Sequence, residues 1–282
     1  MAYPQIAAPY GLKPINLIGG QVFAGSTRSL PIQYGYSVNI FYGDFVVLSR
    51  GFITRAAVST GTAANQVTGI FLGVTFTNPI TKQKQFQQFW PSGTLAGDAE
   101  AVVCDDPDTV FKAVVCSSGT TVASGSLAMV GTNLSMIDNG AVASSLSTGN
   151  SANAVLAPTS TPATSILPVR CVGVVPDTAI TTSALGSSSG TSITLTAGLP
   201  ITIPVGTSVG YVAANGQLIN TGSFVTSAAL AGATTVNINL QPNVLGVGTN
   251  IPAASTITFT QFPEILVKMN LLVHGYYSST TA

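Results

Sequence analysis

Residues 99–115 read AEAVVCDDPDTVFKAVV, and this stretch decides the fold class. Two valine-rich runs, Ala99–Val103 and Thr109–Val115, flank the sequence DDPD at 105–108. Proline presets the backbone of a turn, and aspartate side chains bond to nearby backbone amides, so DDPD is typical of a turn. Two short apolar, β-branched runs on either side of such a turn indicate consecutive strands of a meander.

The same alternation of apolar runs and turns continues toward the N-terminus. Turn residues recur about every 8–12 residues, which is typical of a sandwich or barrel. No window keeps a helical period for more than about two turns. We therefore predict an all-β fold with a β-sandwich or barrel-like core. The predicted strands of this region are Ser29–Ile32, Val38–Tyr42, Phe45–Leu48, Phe52–Ala56, Ile70–Phe76 and Phe86–Trp90.

The strand signals weaken after residue 115. The best candidates are Leu127–Val130, Asn153–Leu156 and Val169–Val175. The last run is almost wholly apolar, which predicts a central strand covered on both faces. Residues 264–274 are predicted to form one long strand that rejoins the first sheet.

A long stretch near the C-terminus differs in composition from the rest of the chain. No charged residue occurs between Thr178 and Pro263, and alternating polar and apolar strands recur beside the sequence Val-Gly-Thr. This pattern predicts an inserted small β-domain at residues 186–260. The main β-domain is then predicted to comprise residues 21–185 and 261–282. Charge-free strand edges lack the lysines that normally prevent pairing, so we expect the insert to pack on another chain or a second sheet.

Residues 1–20 are predicted to form an extended N-terminal arm, because three evenly spaced prolines break any helical or strand period. Such an arm cannot bury its own apolar side chains, so we expect it to lie on a neighbouring surface. The alternative is an edge segment of its own domain. The residues predicted to contact a partner are Ile6, Pro9, Tyr10, Leu12, Pro14, Ile15 and Leu17.

The charge composition points to an assembled protein. Only 6% of residues are charged, the net charge is zero, and 46% are hydrophobic. The apolar content argues against disorder, and the lack of a basic excess argues against direct nucleic-acid binding. Near-zero net charge favours association, although a secreted protein with a hydroxyl-rich surface would share this composition. We find no signal peptide and no membrane-helix pattern, and expect the chain to be made in the cytoplasm.

The residues that usually carry catalysis are scarce. His274 is the only histidine, and no nucleotide-binding, GxSxG or HExxH motif occurs. Cys104, Cys116 and Cys171 are odd in number and form no CxxC pair, so we expect free, buried thiols. We therefore predict neither enzymatic activity nor a cofactor.

Two charged clusters have alternative interpretations. Asp105, Asp106 and Asp108 supply enough oxygen atoms to hold calcium, but the same residues make an ordinary tight turn. Lys82 and Lys84 form a basic pair that is either solvated or in contact with an acidic neighbour.

Three segments resemble structural proteins of tailed bacteriophages, especially marine podovirus-like phages. They are residues 8–28 (APYGLKPINLIGGQVFAGSTR), 40–48 (IFYGDFVVL) and 264–270 (EILVKMN). Within that group the chain looks most like a head decoration (cement) protein. The resemblance implies a β-rich homotrimer on the capsid exterior, with the major capsid protein as partner, that reinforces the head against internal DNA pressure. It also implies arms that pair with capsid-protein strands, and it supplies no catalytic residue.

Three other functions fit parts of the pattern. A tail or fibre component would also be β-rich and trimeric. A major capsid protein would need a long spine helix and a charged extended loop, and neither pattern is present. A secreted adhesin or carbohydrate-binding β-module belongs to a different class, and the absence of a signal-peptide pattern argues against it.

Overall fold

In the computed structural model, twenty strands and two short 3₁₀ helices are assigned within the described part of the chain. The structure describes residues 6, 8–56, 67–125, 127–139, 143–157, 167–175, 179–189, 191–200, 202–203, 205–212, 216–239, 251–252 and 255–276. The strands are β1 Lys13–Leu17, β2 Arg28–Pro31, β3 Phe45–Ser49, β4 Phe52–Arg55, β5 Gly69–Thr77, β6 Lys84–Gln87, β7 Glu100–Cys104, β8 Thr109–Ser118, β9 Thr121–Val122, β10 Asn133–Leu134, β11 Met136–Ile137, β12 Ala154–Leu156, β13 Val169–Val174, β14 Ala179–Ser189, β15 Ser192–Leu195, β16 Ser208–Val212, β17 Leu218–Phe224, β18 Thr235–Asn237, β19 Thr256–Thr260 and β20 Glu264–Met269.

The predicted all-β class with a sandwich or barrel-like core is confirmed. Strands make up 49% of the structure, which has a nearly closed barrel-like sheet and no α-helix among the described residues. The 3₁₀ helices span Leu127–Met129 and Leu271–Val273. Within the described ranges, no helix has the length and apolarity needed to cross a membrane.

The chain divides into two compact units. The smaller unit holds Ala123–Leu127 and Val174–Pro263, and the larger unit holds the other described residues. The predicted insert, 186–260, lies inside the smaller unit. The boundary lies before residue 186 because β14 pairs with β19, placing Ala179 opposite Thr260.

The larger unit contains two sheets. One has the strand order β10-β13-β20-β8-β12-β11, with β1 and β9 also paired to β8. The other has the order β2-β7-β5-β3-β4, with β6 also paired to β5. Strand β20 shows why these residues form a sheet, because Ile265, Val267 and Met269 are buried while the residues between them are partly exposed. The largest fully buried side chains include Trp90 and Phe111.

The strands on either side of the DDPD turn do not form a hairpin. Strand β7 pairs with β2 and β5, whereas β8 belongs to the other sheet. An ion pair lies at each end of the turn: Asp105 pairs with Arg28 and Asp108 with Lys268, which lie on β2 and β20. The turn therefore carries the chain from one sheet to the other.

Several strand predictions need correction. The predicted strand Val38–Tyr42 is absent, and only Ile40 and Tyr42 make isolated bridges there, to Trp90 and Asn150. Strand β13 is central in its sheet, but Arg170 is exposed and Val172 half-buried, so only one face is fully covered. Leu127–Met129 is a 3₁₀ turn, closed where Thr132 donates its backbone N–H to the Met129 carbonyl. The final strand ends at Met269 because the Asn270 side chain caps the following 3₁₀ helix.

The smaller unit contains one sheet, in the order β17-β16-β19-β14-β15-β18. The two repeat-like segments of the sequence form β15 and β18, which pair with each other. In this pairing Ile193 on β15 lies opposite Val236 on β18. Both side chains are fully buried in the unit's own apolar core, with Phe259 among their neighbours in that core. The apolar face of this charge-free sheet is therefore covered inside the same chain.

Candidate functional site

Most of the predicted arm is docked on the larger unit. Residues 13–17 form β1, which pairs antiparallel with β8. Leu12 is fully buried and Pro9 is buried as well. The sequence left open whether the arm lies on a neighbour or on its own domain. For the described arm residues, the structure shows the second alternative, an edge segment of the same domain, and not an arm that lies on a neighbouring surface.

Two glycines allow the arm to dock closely. Gly11 has φ +76°, and a Cβ on it would lie 2.8 Å from both the Gly43 carbonyl oxygen and the Ser151 Cβ. Gly43 has φ +90° and approaches the Leu12 backbone in the same way. The Leu12 N–H donates to the Gly43 carbonyl at 3.1 Å. Only glycine fits such a left-handed, backbone-to-backbone contact without strain.

A polar cluster fixes the arm's first turn. The Tyr10 hydroxyl donates to Glu264, and Lys112 Nζ lies 3.0 Å from the same carboxylate. Lys13 Nζ lies 4.2 Å from the centre of the Tyr10 ring. Burial, and then the hydrogen bond to Glu264, raise the pKa of Tyr10 well above its ordinary value. The phenol therefore stays protonated and bridges the arm to β20.

The arm keeps an exposed apolar surface at its far end. Asn16 bridges to Val22, which folds residues 16–22 into a tight hairpin. Ile15 is 40% exposed, Ile18 52% and Val22 81%. We call these three side chains the arm patch. Of the remaining predicted contact residues, Ile6, Tyr10, Pro14 and Leu17 are half-buried.

The outer edge of β1 adjoins the arm patch. Apart from the bridge between Asn16 and Val22, the described ranges contain no strand paired with this edge. An open strand edge offers backbone donors and acceptors to a strand from another chain. The arm therefore has two parts. Its docked base, Pro9 to Leu12, is held on the larger unit, and its rim, the arm patch with the outer edge of β1, is apolar and unpaired.

A buried ionic network forms the polar centre of the larger unit. Asp44 is fully buried and accepts from Ser151 Oγ at 2.6 Å, Asn153 Nδ2 at 3.0 Å and Arg55 Nε at 3.2 Å. Arg55 also pairs with Asp138. Burial raises the pKa of Asp44, while Arg55 and the hydrogen-bond donors oppose that rise. Because Asp44 has no exposed surface, the network suits a structural role rather than substrate contact.

The DDPD turn forms ion pairs rather than a metal site. Asp105 pairs with Arg28 and accepts from the Tyr276 hydroxyl at 3.1 Å. His274 is fully buried, with Nε2 3.2 Å from the Asp105 backbone oxygen, and burial lowers its pKa. Across the described ranges, no group of three or more acidic, histidine or cysteine side chains is arranged to hold a metal ion.

The remaining residues singled out in the sequence occupy ordinary positions. Lys82 and Lys84 are exposed on and beside a tight turn. The predicted burial of Cys104, Cys116 and Cys171 is confirmed, and all three are free thiols. Burial raises the pKa of Cys116 and Cys171 to about 11, so their reactive thiolate forms are scarce at neutral pH.

Comparison with known proteins finds no relative. No family model, curated protein or solved structure matches the chain.

The sequence did not reveal the Asp44 network. Gly43-Asp44 looks like a turn, and Arg55 and Asp138 are far from it in sequence. The available signal was the low number of charges, because a rare charged residue inside apolar strands needs a partner.

Proposed function

We propose that the chain is a virion structural protein that binds the outer surface of a bacteriophage capsid and stabilises the head. It acts as a decoration (cement) protein, as a homotrimer, with the major capsid protein as its partner. The observation that carries the proposal is the arm patch: Ile15, Ile18 and Val22 are exposed beside an open strand edge in a chain with only 6% charged residues. Such a surface is removed from water only when another protein covers it.

The mechanism is adhesion by surface burial. Fully burying a Val or Ile side chain contributes about 1.5–3 kcal/mol. Scaled by the exposed fractions of 40%, 52% and 81%, the arm patch contributes about 3–5 kcal/mol per subunit. Strand pairing at the β1 edge adds hydrogen bonds and fixes orientation. Many copies on one shell then act together through avidity.

The docked base of the arm supports this role. Pro9 and Leu12 are buried, and Tyr10 is bonded to Glu264, so the rim is held in place before binding. A preorganised binding surface loses less conformational entropy on association than a free arm. Of the seven residues predicted to touch the partner, Ile15 presents the most accessible side chain, while Pro9 and Leu12 position it.

The test uses heads of the phage that encodes the chain, from which the protein has been removed. Purified protein is added back, and bound copies are counted after sedimentation. The triple variant I15S/I18S/V22S is expected to bind at least about 100-fold more weakly, the equivalent of about 3 kcal/mol. A matched control, I80S/L95S/L146S, removes three other exposed apolar side chains of the same unit and is expected to bind normally.

Two results would contradict the proposal. Full occupancy by the arm-patch variant would exclude the arm as the contact surface. Binding of the unaltered protein to tails and not to heads would favour the tail or fibre alternative.

Decorated heads should also withstand heating better than bare heads, since each bound copy stabilises the shell.

A further inference from the structure

The larger unit contains an open cleft that the capsid-binding proposal does not use. Its volume is about 660 Å³, within the range of small-molecule binding sites. It lies where β5 passes from pairing with β3, at Gly69 and Ile70, to pairing with β6, which begins at Val74. Gly73, with φ +149°, forms a bulge at this point. The bulge and the change of partner open the sheet locally.

The cleft has an apolar floor and an aromatic wall. Leu72 on β5 and Val102 on β7 line it. Phe86, on β6 opposite Thr75, lines it too and is 78% exposed. A phenylalanine ring so exposed is unusual in a soluble domain, and its flat face is available to a ligand.

Amide side chains supply the polar groups of the cleft. Gln88 Nε2 donates to Asn150 Oδ1 at 2.7 Å, which leaves further donor and acceptor capacity on both amides. Gln87 Nε2 donates to Gln85, but its Oε1 is buried and has no donor within the described part of the chain. With one N–H donated to Gln85, the Gln87 Nε2 keeps a second N–H for an acceptor on a ligand.

The charge of the lining restricts the ligand class. Among the described residues that line the cleft, Lys13 is the only charged one, and none carries a carboxylate. One cation is too few for a nucleic-acid backbone, whose binding depends on neutralising several phosphates. The absence of acidic groups disfavours a cationic ligand. The lining therefore suits a neutral or singly acidic ligand with many hydroxyl groups and an apolar face.

We propose that this cleft binds an oligosaccharide. The apolar face of a sugar ring packs on Phe86, its hydroxyl groups exchange hydrogen bonds with Gln87, Gln88 and Asn150, and Lys13 meets a carboxylate when the sugar is a uronic acid. The proposal goes beyond capsid binding and does not depend on it. A virion protein with such a site can attach the particle to polysaccharide on a cell surface.

The first test titrates the whole purified protein with oligosaccharides of three to six units. The neutral probes are malto-, cello- and xylo-oligosaccharides, and the acidic probes are oligomers of guluronate, mannuronate and galacturonate. Calorimetry or ligand-observed NMR is expected to show saturable binding of at least one probe, with a Kd below about 10 mM. Absence of binding by every probe at that concentration would overturn the proposal, as would displacement of a bound probe by an unrelated extended peptide.

Variants locate the site. Phe86→Ala is expected to weaken binding about tenfold, and Gln87→Leu is expected to weaken it as well. Tyr34→Ala is the matched control, because Tyr34 is 61% exposed and does not line the cleft. Lys13→Gln is expected to weaken only the acidic probes. Since Phe86 is largely exposed, its variant should melt like the unaltered protein. Undiminished binding by a folded Phe86→Ala variant would refute the site.

Discussion

Replacing Leu12 by alanine is expected to destabilise the larger unit, because the arm is part of that unit's core. Leu12 is fully buried, and its N–H bonds to Gly43. Replacing a buried leucine by alanine costs about 2–5 kcal/mol. A loss of about 3 kcal/mol lowers the melting temperature of a unit this size by about 6–12 °C.

The measurement is thermal or denaturant unfolding of the variant beside a control. Val22→Ala is the matched control, since Val22 lies in the hairpin that follows β1 but is 81% exposed. It is expected to change the free energy of unfolding by no more than about 0.5 kcal/mol. Equal stability of the Leu12 and Val22 variants would refute the docked arm. It would favour the other alternative that the sequence left open, an arm that lies on a neighbouring surface.

Three further perturbations test separate parts of the structure. Gly11→Ala is expected to destabilise the unit by about 1–3 kcal/mol more than Gly20→Ala, because both glycines have positive φ but only Gly11 packs against backbone; equal effects would contradict the close contact. Asp44→Ala is expected to cost about 3 kcal/mol or more by leaving Arg55 buried beside a cavity, whereas Glu100→Ala on an exposed position should be neutral. Because burial lowers the pKa of His274, the native protein binds fewer protons than the unfolded chain below pH 6.5, so stability falls as the pH drops through that value. The single histidine resonance should titrate below 6.5 in the native protein and near 6.5 in urea; a native midpoint at or above 6.5 would be inconsistent with the buried ring.

Local pattern predicted the elements whose burial depends on their own residues. The strand predicted at residues 264–274 is present as β20 over Glu264–Met269, which buries Ile265, Val267 and Met269. The largely apolar run Thr109–Val115 likewise lies in β8, whose residues are buried on both faces along most of its length except at Lys112. In both strands the side chains alone determine which faces must avoid water.

Pairing between distant segments was not predictable in the same way. The DDPD turn has the residues of a hairpin, yet β7 and β8 enter different sheets, where they pair with strands far from them in the sequence, such as β2 and β20. Nothing near Asp44 in the sequence indicates Arg55 or Asp138 as partners. The arm could equally have lain on a neighbour, since its prolines fix an extended backbone but not the surface beneath it.

The cleft at Phe86 illustrates the same limit. The sequence around it, KQKQFQQFW, predicted a strand at Phe86–Trp90 and left open whether the basic pair Lys82 and Lys84 is solvated. The structure buries Trp90 but leaves Phe86 exposed, because Phe86 lies with Lys84 on the exposed face of β6, opposite the half-buried Gln85 and Gln87. Gln87 and Gln88 line the proposed cleft together with Gly73 of β5 and with Asn150, which is distant from them in the sequence.

The central claim is that this chain coats the outside of a phage head by burying a neutral apolar surface. Antibody labelling of purified virions, viewed by electron microscopy, tests that claim most directly. We expect label distributed over the whole head, at a density set by the capsid lattice. Label restricted to the tail or to one vertex, or no label on intact particles, would contradict it.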